Sequence, residues 1–267
     1  MKNRSLRCIT RLLPLLALLQ ASFSVGTADA VTAMKQPLYG DPAHPDISGM
    51  WNPEFAYFGP PIDKSGRPII PAGPPPGVVP GKVPVGPPPG MPPGPQLTPE
   101  YAKRYAEWLK KSADGKQEPD SVTRCLAFGF ARFGTMPVEI IQTPGQITMN
   151  LGVLHDIRRI YLDGVGHTIG ADPSFNGDSV GHWEGDTLVV ETNNIRPGTL
   201  DRFGIPYSDK LSAIEKIRRV SPTRLEIETT LTDAEAFAKP YTMHRAYVPM
   251  PPGSRFEEYL CENNRDL

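Results

Sequence analysis

The sequence predicts a mainly β protein in which about eight to nine short antiparallel strands close on themselves. From residue 137 onward, short runs rich in β-branched and aromatic residues alternate with polar positions. Tight turns containing glycine and proline separate these runs, and almost no helical periodicity intervenes. A chain of successive hairpins loses its exposed strand edges when it closes as a barrel.

Residues 1–30 have the features of a signal peptide. Basic residues precede the short apolar run 12–19, and Ala28 and Ala30 supply the small side chains of a cleavage site. The apolar run is too short to cross about 30 Å of hydrocarbon. We therefore expect a periplasmic or secreted protein with no integral membrane span after cleavage.

The charge of the mature chain argues against two kinds of partner, nucleic acid and anionic membranes. The whole chain has 28 Lys+Arg and 29 Asp+Glu, and the leader removes four basic residues and one acid, leaving a net charge near −4. An acidic chain of this kind is a poor ligand for nucleic acid or anionic membranes. Neither is expected as a partner.

Residues 31–97 are expected to form an extended N-terminal arm. Its segment 59–95 is dominated by proline and glycine, which disfavour helices and sheet ladders. A semi-rigid linker is the simpler interpretation. A ligand for a proline-binding protein is the alternative.

The domain 98–267 begins with a predicted helix. Thr98 suits an N-cap, Pro99 the first helical position, and Gly115 the residue just after the helix. The helix carries an apolar stripe formed by Tyr101, Tyr105, Trp108 and Leu109. We expect this stripe to lie on the barrel or across one of its ends.

The predicted strands follow one another through hairpins. They are Val138–Gln142, Gln146–Leu151, Val153–Asp163, the two arms of a hairpin over 178–193, Ile214–Val220, Arg224–Leu231, Tyr241–Val248 and Phe256–Glu262. Residues 198–209 are expected to form an excursion. Up-and-down order favours a lipocalin-like barrel over a sandwich.

The turn of the 178–193 hairpin decides which side chains share a face. A three-residue loop, 184–186, makes Glu184 an ordinary turn residue. A two-residue turn places His182 and Glu184 on the face of Glu191. The sequence leaves both registers open, and the second gathers an imidazole and two carboxylates that can move protons.

The strand 153–163 carries the other candidate groups. By strict alternation His155 and Tyr161 share one face, and Arg158 lies on the other. An arginine inside an apolar lumen needs a carboxylate, for which Glu184 or Glu191 is the expected partner. The candidate catalytic residues are His155, Arg158, His182 and Glu191. The candidate substrate-binding residues are Tyr161, Trp183, Glu184 and His244.

Cysteine and histidine usage argues for a disulfide and against a metal. Cleavage of the leader leaves Cys125 and Cys261, which we expect to pair in an oxidising compartment. A reactive thiol or a metal ligand is the alternative for either cysteine. The ligand types needed for zinc or iron are present in His155, His167, Asp172 and His182. Their spacing matches no compact motif, and no phosphate-binding loop or nucleophile elbow occurs, so neither metal nor cofactor is expected.

Four segments of the chain together resemble a family of exported bacterial hypothetical proteins. They are 139–144, 159–164, the Gly-His-Trp-Glu-Gly-Asp-Thr-Leu-Val-Val-Glu-Thr segment 181–192, and the Cys-Glu-Asn-Asn-Arg segment 261–265. The resemblance covers roughly residues 120–267 and implies export, but it supplies no mechanism and no catalytic residues. This chain departs from the family at 163–168, where Val165 and Gly166 precede His167 in place of an arginine before His-Pro.

These observations favour an exported barrel that binds a small apolar or aromatic molecule. The barrel is expected to act as a cofactor-independent acid/base enzyme, a lyase, isomerase or hydrolase, in which His182 or His155 carries the proton and Glu191 assists. A non-catalytic ligand carrier is the first alternative. The second is an envelope protein-interaction module that uses the Pro/Gly-rich arm.

Overall fold

A computed structural model of the protein describes residues 43–54, 93–116, 121–122, 124–154 and 156–257. All of them belong to one structural unit, Leu38–Leu267. The predicted signal peptide, most of the Pro/Gly-rich segment, His155 and Cys261 lie outside the described residues.

Within the described residues, nine strands close into one barrel. They are β1 (Gly49–Pro53), β2 (Val138–Thr143), β3 (Gln146–Leu151), β4 (Ile157–Tyr161), β5 (Asp178–Glu184), β6 (Thr187–Asn193), β9 (Ser212–Ser221), β10 (Arg224–Thr232) and β11 (Tyr241–Pro249). Between β6 and β9, the predicted excursion contains a separate two-stranded sheet of β7 (Gly198–Thr199) and β8 (Pro206–Tyr207). The predicted mainly β barrel of eight to nine strands is confirmed.

The order around the barrel is β1, β11, β10, β9, β6, β5, β4, β3, β2, and β2 pairs with β1 to close it. One pair breaks the predicted antiparallel order, because β4 and β5 run parallel through Ile160↔Ser179 and Tyr161↔Val180. Parallel neighbours need a long connection. Residues 162–177 supply it by carrying the chain back to the end of the barrel at which β4 begins.

Strand β1 comes from the segment predicted to be an extended arm, so the prediction that the barrel domain starts at residue 98 is wrong. Trp51 and Pro53 alternate toward the interior, and Trp51 is only 2 % exposed. Burial of this indole explains why the strand docks. The predicted last strand, Phe256–Glu262, is not a strand at 256–257, and its remainder lies outside the described residues.

Two helices occur in the described residues, α1 (Pro99–Ala113) and the short α2 (Phe130–Phe133). The predicted start of α1 at Thr98 is confirmed. The single-helix prediction missed α2, which has too few residues to show periodicity. None of the described helices is long and apolar enough to cross a membrane.

Two apolar clusters fill the fold. The first occupies the barrel and includes Trp51, Ile140, Ile160, Leu188, Ile217, Leu225 and Tyr247. The second cluster includes Tyr101, Ile195, Leu200, Leu211, Leu231 and Phe237, and Tyr105 packs at its edge. The apolar stripe of α1 therefore packs on the second cluster, where the ring of Trp108 covers Gly204, a residue with a φ of +83°.

Candidate functional site

A buried arginine lies at the centre of the barrel. Alternation along β4 turns Arg158 inward, and the residue is 3 % exposed. Its guanidinium donates to Ser179 Oγ at 3.2 Å and to Thr192 Oγ1 at 2.9 Å, and it pairs with the carboxylate of Glu215. Because the barrel interior offers few competing dipoles, this ion pair balances a charge that would otherwise be costly to bury.

The acid that meets Arg158 differs from the predicted one. Glu215 on β9 is 5 % exposed, whereas Glu184 and Glu191 are each 64 % exposed, so the predicted pairing with either residue is wrong. Alternation along β9 could have shown Glu215 on the inner face. The signal was masked because Ile214, on the opposite face, makes both faces of the strand partly apolar.

A cavity of about 20 Å³ adjoins the ion pair. Apolar side chains line most of it, among them Phe130, Phe133, Met149, Ile227, Leu231 and Met243, and the charged residues that reach it are Arg158, Glu215 and Arg245. A cavity of this size holds one or two water-sized groups.

Two hydroxyl groups at the cavity differ in their hydrogen bonding. Tyr247 donates to the carbonyl oxygen of Gly134 at 2.7 Å, and burial raises the pKa of Tyr247 to about 12, which keeps it protonated. Thr229 is 2 % exposed, and its hydroxyl has no hydrogen-bond partner among the described residues. The cavity therefore presents a free polar group.

The hairpin of β5 and β6 has the two-residue turn. Its register pairs Glu184 with Thr187 and His182 with Val189. His182, Glu184 and Glu191 therefore share a face, but that face is the outer one. His182 is 66 % exposed and contacts Glu184 at 3.1 Å, so the prediction that it lines the interior with Glu191 is wrong.

The histidine that meets Glu191 is His167, from the 162–177 connection. Its Nδ1 lies 3.3 Å from Asp178 Oδ2 and its Nε2 lies 3.8 Å from Glu191 Oε1. The amide of Thr168 donates to the same Asp178 oxygen at 2.5 Å, which fixes the connection on β5. Both ring nitrogens are shielded from solvent, while Glu191 is 64 % exposed.

The residues predicted to bind substrate lie at separate positions. Tyr161 and His244 are on the outer surface, at 39 % and 72 % exposure, and His244 lies 3.7 Å from Glu228. Trp183 stacks on His44 with ring centroids 4.9 Å apart. No hydrogen bond or ion pair among the described residues joins the predicted set Tyr161, Trp183, Glu184 and His244.

The remaining predictions concern cysteine and metal. Cys125 is half-buried with a φ of 56°, and its predicted partner Cys261 lies outside the described residues. In the part of the chain that the structure describes, no three His, Cys, Asp or Glu side chains gather where a metal ion could bind. His155, a candidate for both catalysis and metal binding, is also outside it.

Comparisons with protein-family models, with curated proteins and with solved structures find no match for this chain.

Proposed function

We propose that the protein binds a small, largely apolar or aromatic molecule in the interior of its barrel. The cavity beside Arg158 carries this proposal, because it combines an apolar lining with a few convergent polar groups. Small-molecule sites commonly have this composition, in which the polar groups orient a ligand held by apolar contacts. A non-catalytic carrier needs no more than such a site.

The size of the cavity limits how a ligand enters. One or two water-sized groups fit in about 20 Å³, so the body of a larger molecule has to displace a side chain. The Phe130 ring of α2 lies over the guanidinium of Arg158, with 4.7 Å between the ring centroid and the guanidinium carbon. Phe130 is therefore a side chain that a ligand reaching the ion pair would have to displace.

Adjacent threonines on opposite faces of β10 provide a matched test. We expect Thr229→Met to fill the cavity and abolish binding of benzyl alcohol and benzoate, measured by NMR titration of the ¹⁵N-labelled protein. Thr230→Met adds the same side chain to the outer face, where Thr230 contacts Thr242 at 2.9 Å, and should bind as the wild type does. If the wild-type spectrum responds to neither probe, or if Thr229→Met responds unchanged, interior binding is wrong.

A second candidate function is acid/base catalysis on the outer face at Glu191. The observation that favours it is the imidazole of His167 placed between Asp178 and Glu191. Glu191 is the exposed carboxylate that would accept a proton from a substrate, and the Nε2 atom of His167 lies 3.8 Å from it without a hydrogen bond. His167 is then a positioning residue, since its ring nitrogens are shielded.

Glu184 is a close control for Glu191. Both carboxylates are 64 % exposed, each lies near one histidine, and they belong to the same hairpin. With 5-nitrobenzisoxazole as the probe, a base takes the carbon-bound proton as the N–O bond breaks to release a cyanophenolate. We expect Glu191→Gln to lower this rate about tenfold or more, His167→Gln to lower it by a smaller factor because Glu191 loses its neighbour, and Glu184→Gln to leave it unchanged. Equal effects of the two Glu→Gln changes would remove the catalytic proposal.

We also propose export and a disulfide between Cys125 and Cys261. The leader 1–30 and the resemblance of residues 120–267 to exported bacterial proteins support export, and an oxidising compartment favours pairing. The intact mass of the protein recovered from the periplasm or medium tests both points. The alternative interaction role depends on the Pro/Gly-rich arm, most of which lies outside the described residues.

A further inference from the structure

The charged residues that line the barrel cavity do not balance. Two are arginines, Arg158 and Arg245, and one is an acid, Glu215. Glu215 is already engaged by Arg158. No ion pair joins Arg245 to a carboxylate of the described residues, and its Nη2 makes only a long hydrogen bond of 3.4 Å to the carbonyl oxygen of Ala131. The cavity lining therefore carries one positive charge in excess.

The position of Arg245 is set by its neighbours. Its guanidinium packs against Gly134, where an added Cβ would lie 2.8 Å from Nη1. Arg245 also faces Tyr247, whose hydroxyl is committed to Gly134. The strand β11 turns Tyr241, Met243, Arg245 and Tyr247 toward the same side, so a half-buried cation is held at an otherwise apolar wall.

The hydroxyl of Thr229 is an independent observation that points to a ligand site. It lines the same cavity, is almost fully buried, and has no partner among the described residues. Buried polar groups in folded proteins are nearly always hydrogen-bonded, and an exception calls for an explanation such as a bound water or ion. A hydroxyl beside a cation suits an anionic acceptor oxygen.

We propose that this cavity is an anion site that takes the carboxylate of a small organic acid. The proposal rests on interior binding as the function and names the chemical class of the ligand. Arg245 pairs with the carboxylate, and Thr229 donates a hydrogen bond to one of its oxygens. A guanidinium matches the planar geometry of a carboxylate. The carboxylate occupies the existing cavity of about 20 Å³, and the apolar body of the acid packs toward Phe133, Leu231 and Met243 after displacing a side chain.

Benzoate and benzyl alcohol test the proposal, because they share an aromatic body and differ in the head. We expect benzoate to bind the wild-type protein at least about tenfold more tightly, which corresponds to one charge-assisted contact. Arg245→Met should reduce benzoate affinity to that of benzyl alcohol. Arg218→Met removes the same charge from the outer face, where Arg218 pairs with Asp186, and should keep the preference.

Thr229→Val keeps the shape of the side chain and removes only the hydroxyl, so it tests the site even if Arg245→Met fails to fold. We expect it to weaken benzoate severalfold and benzyl alcohol hardly at all, with Thr230→Val as the outer-face control. Acetate binding as tightly as benzoate would support the site and show that a free small anion suffices. Equal affinity for benzoate and benzyl alcohol would overturn the anion site but leave interior binding standing. Binding of neither aromatic probe would overturn both.

Discussion

Glu215→Gln should destabilise the protein by about 3–5 kcal/mol, because it leaves the guanidinium of Arg158 as an unpaired charge inside the barrel. Glutamine keeps the shape of the side chain, so the loss reports the charge and not a cavity. Arg158 and Glu215 are 3 % and 5 % exposed, so bulk solvent does not screen the charge that is left behind. Urea unfolding followed by circular dichroism measures the effect.

Two further variants separate charge imbalance from damaged packing. Glu184→Gln removes the same charge from the outer face and should change stability by less than about 0.5 kcal/mol. The double change Arg158→Met with Glu215→Leu removes both charges and should recover most of the loss. Ser179 and Thr192 tolerate it because their hydroxyl oxygens lie 2.9 Å apart and hydrogen-bond each other. A double variant as unstable as Glu215→Gln would show that packing dominates.

Trp51→Ala should cost about 3–5 kcal/mol and weaken closure of the barrel. Trp51 is among the largest fully buried side chains, its indole N–H donates to the carbonyl oxygen of Ile47 at 3.0 Å, and the guanidinium of Arg219 lies 5.3 Å from its ring. The same strand pairs with both β2 and β11. Urea unfolding gives the loss, and hydrogen exchange shows whether the amides of those two strands lose protection.

Met50 provides the control for Trp51. It is the preceding residue on β1 and points to the opposite, partly exposed face, so Met50→Ala should cost much less than Trp51→Ala. If the two variants lose equal stability, β1 does not stabilise the barrel through its buried face. Unchanged exchange in β2 and β11 with Trp51→Ala would argue against a role of this side chain in closure.

Most of the barrel was predictable because its hairpins are local. Between residues 138 and 249, alternation and turn residues identify the paired runs, and Thr98 with Pro99 identifies the start of α1. The parallel pairing of β4 with β5 depends on partners that are distant in sequence, and so does the pairing of β1 with β2 and β11. Periodicity carries no information about such partners, so Trp51 could not be assigned to the barrel.

The same difference between local and distant partners holds for the candidate sites. Alternation along one strand separates the face of Arg158 from that of Tyr161, and the two-residue turn sets the shared face of His182 and Glu191. The sequence does not show which face is inside. The meeting of Arg158 with Glu215, and that of His167 with Glu191, required the folded chain because the partners come from non-adjacent segments.

The junction between β1 and β11 joins the first and the last strand of the described residues, and both strands carry a proline there. Pro53 pairs with Tyr247 and Pro249 pairs with Trp51. Glu54 donates its amide to Ala246 and Met250 donates its amide to Met50, so the two prolines occupy the positions whose backbone nitrogens face away from this junction. On the other side of each strand, the pairing of β1 with β2 ends at Trp51 and that of β11 with β10 ends at Tyr247. Neither imino acid therefore removes a ladder hydrogen bond, and the ring closes as completely as it would between two strands without proline.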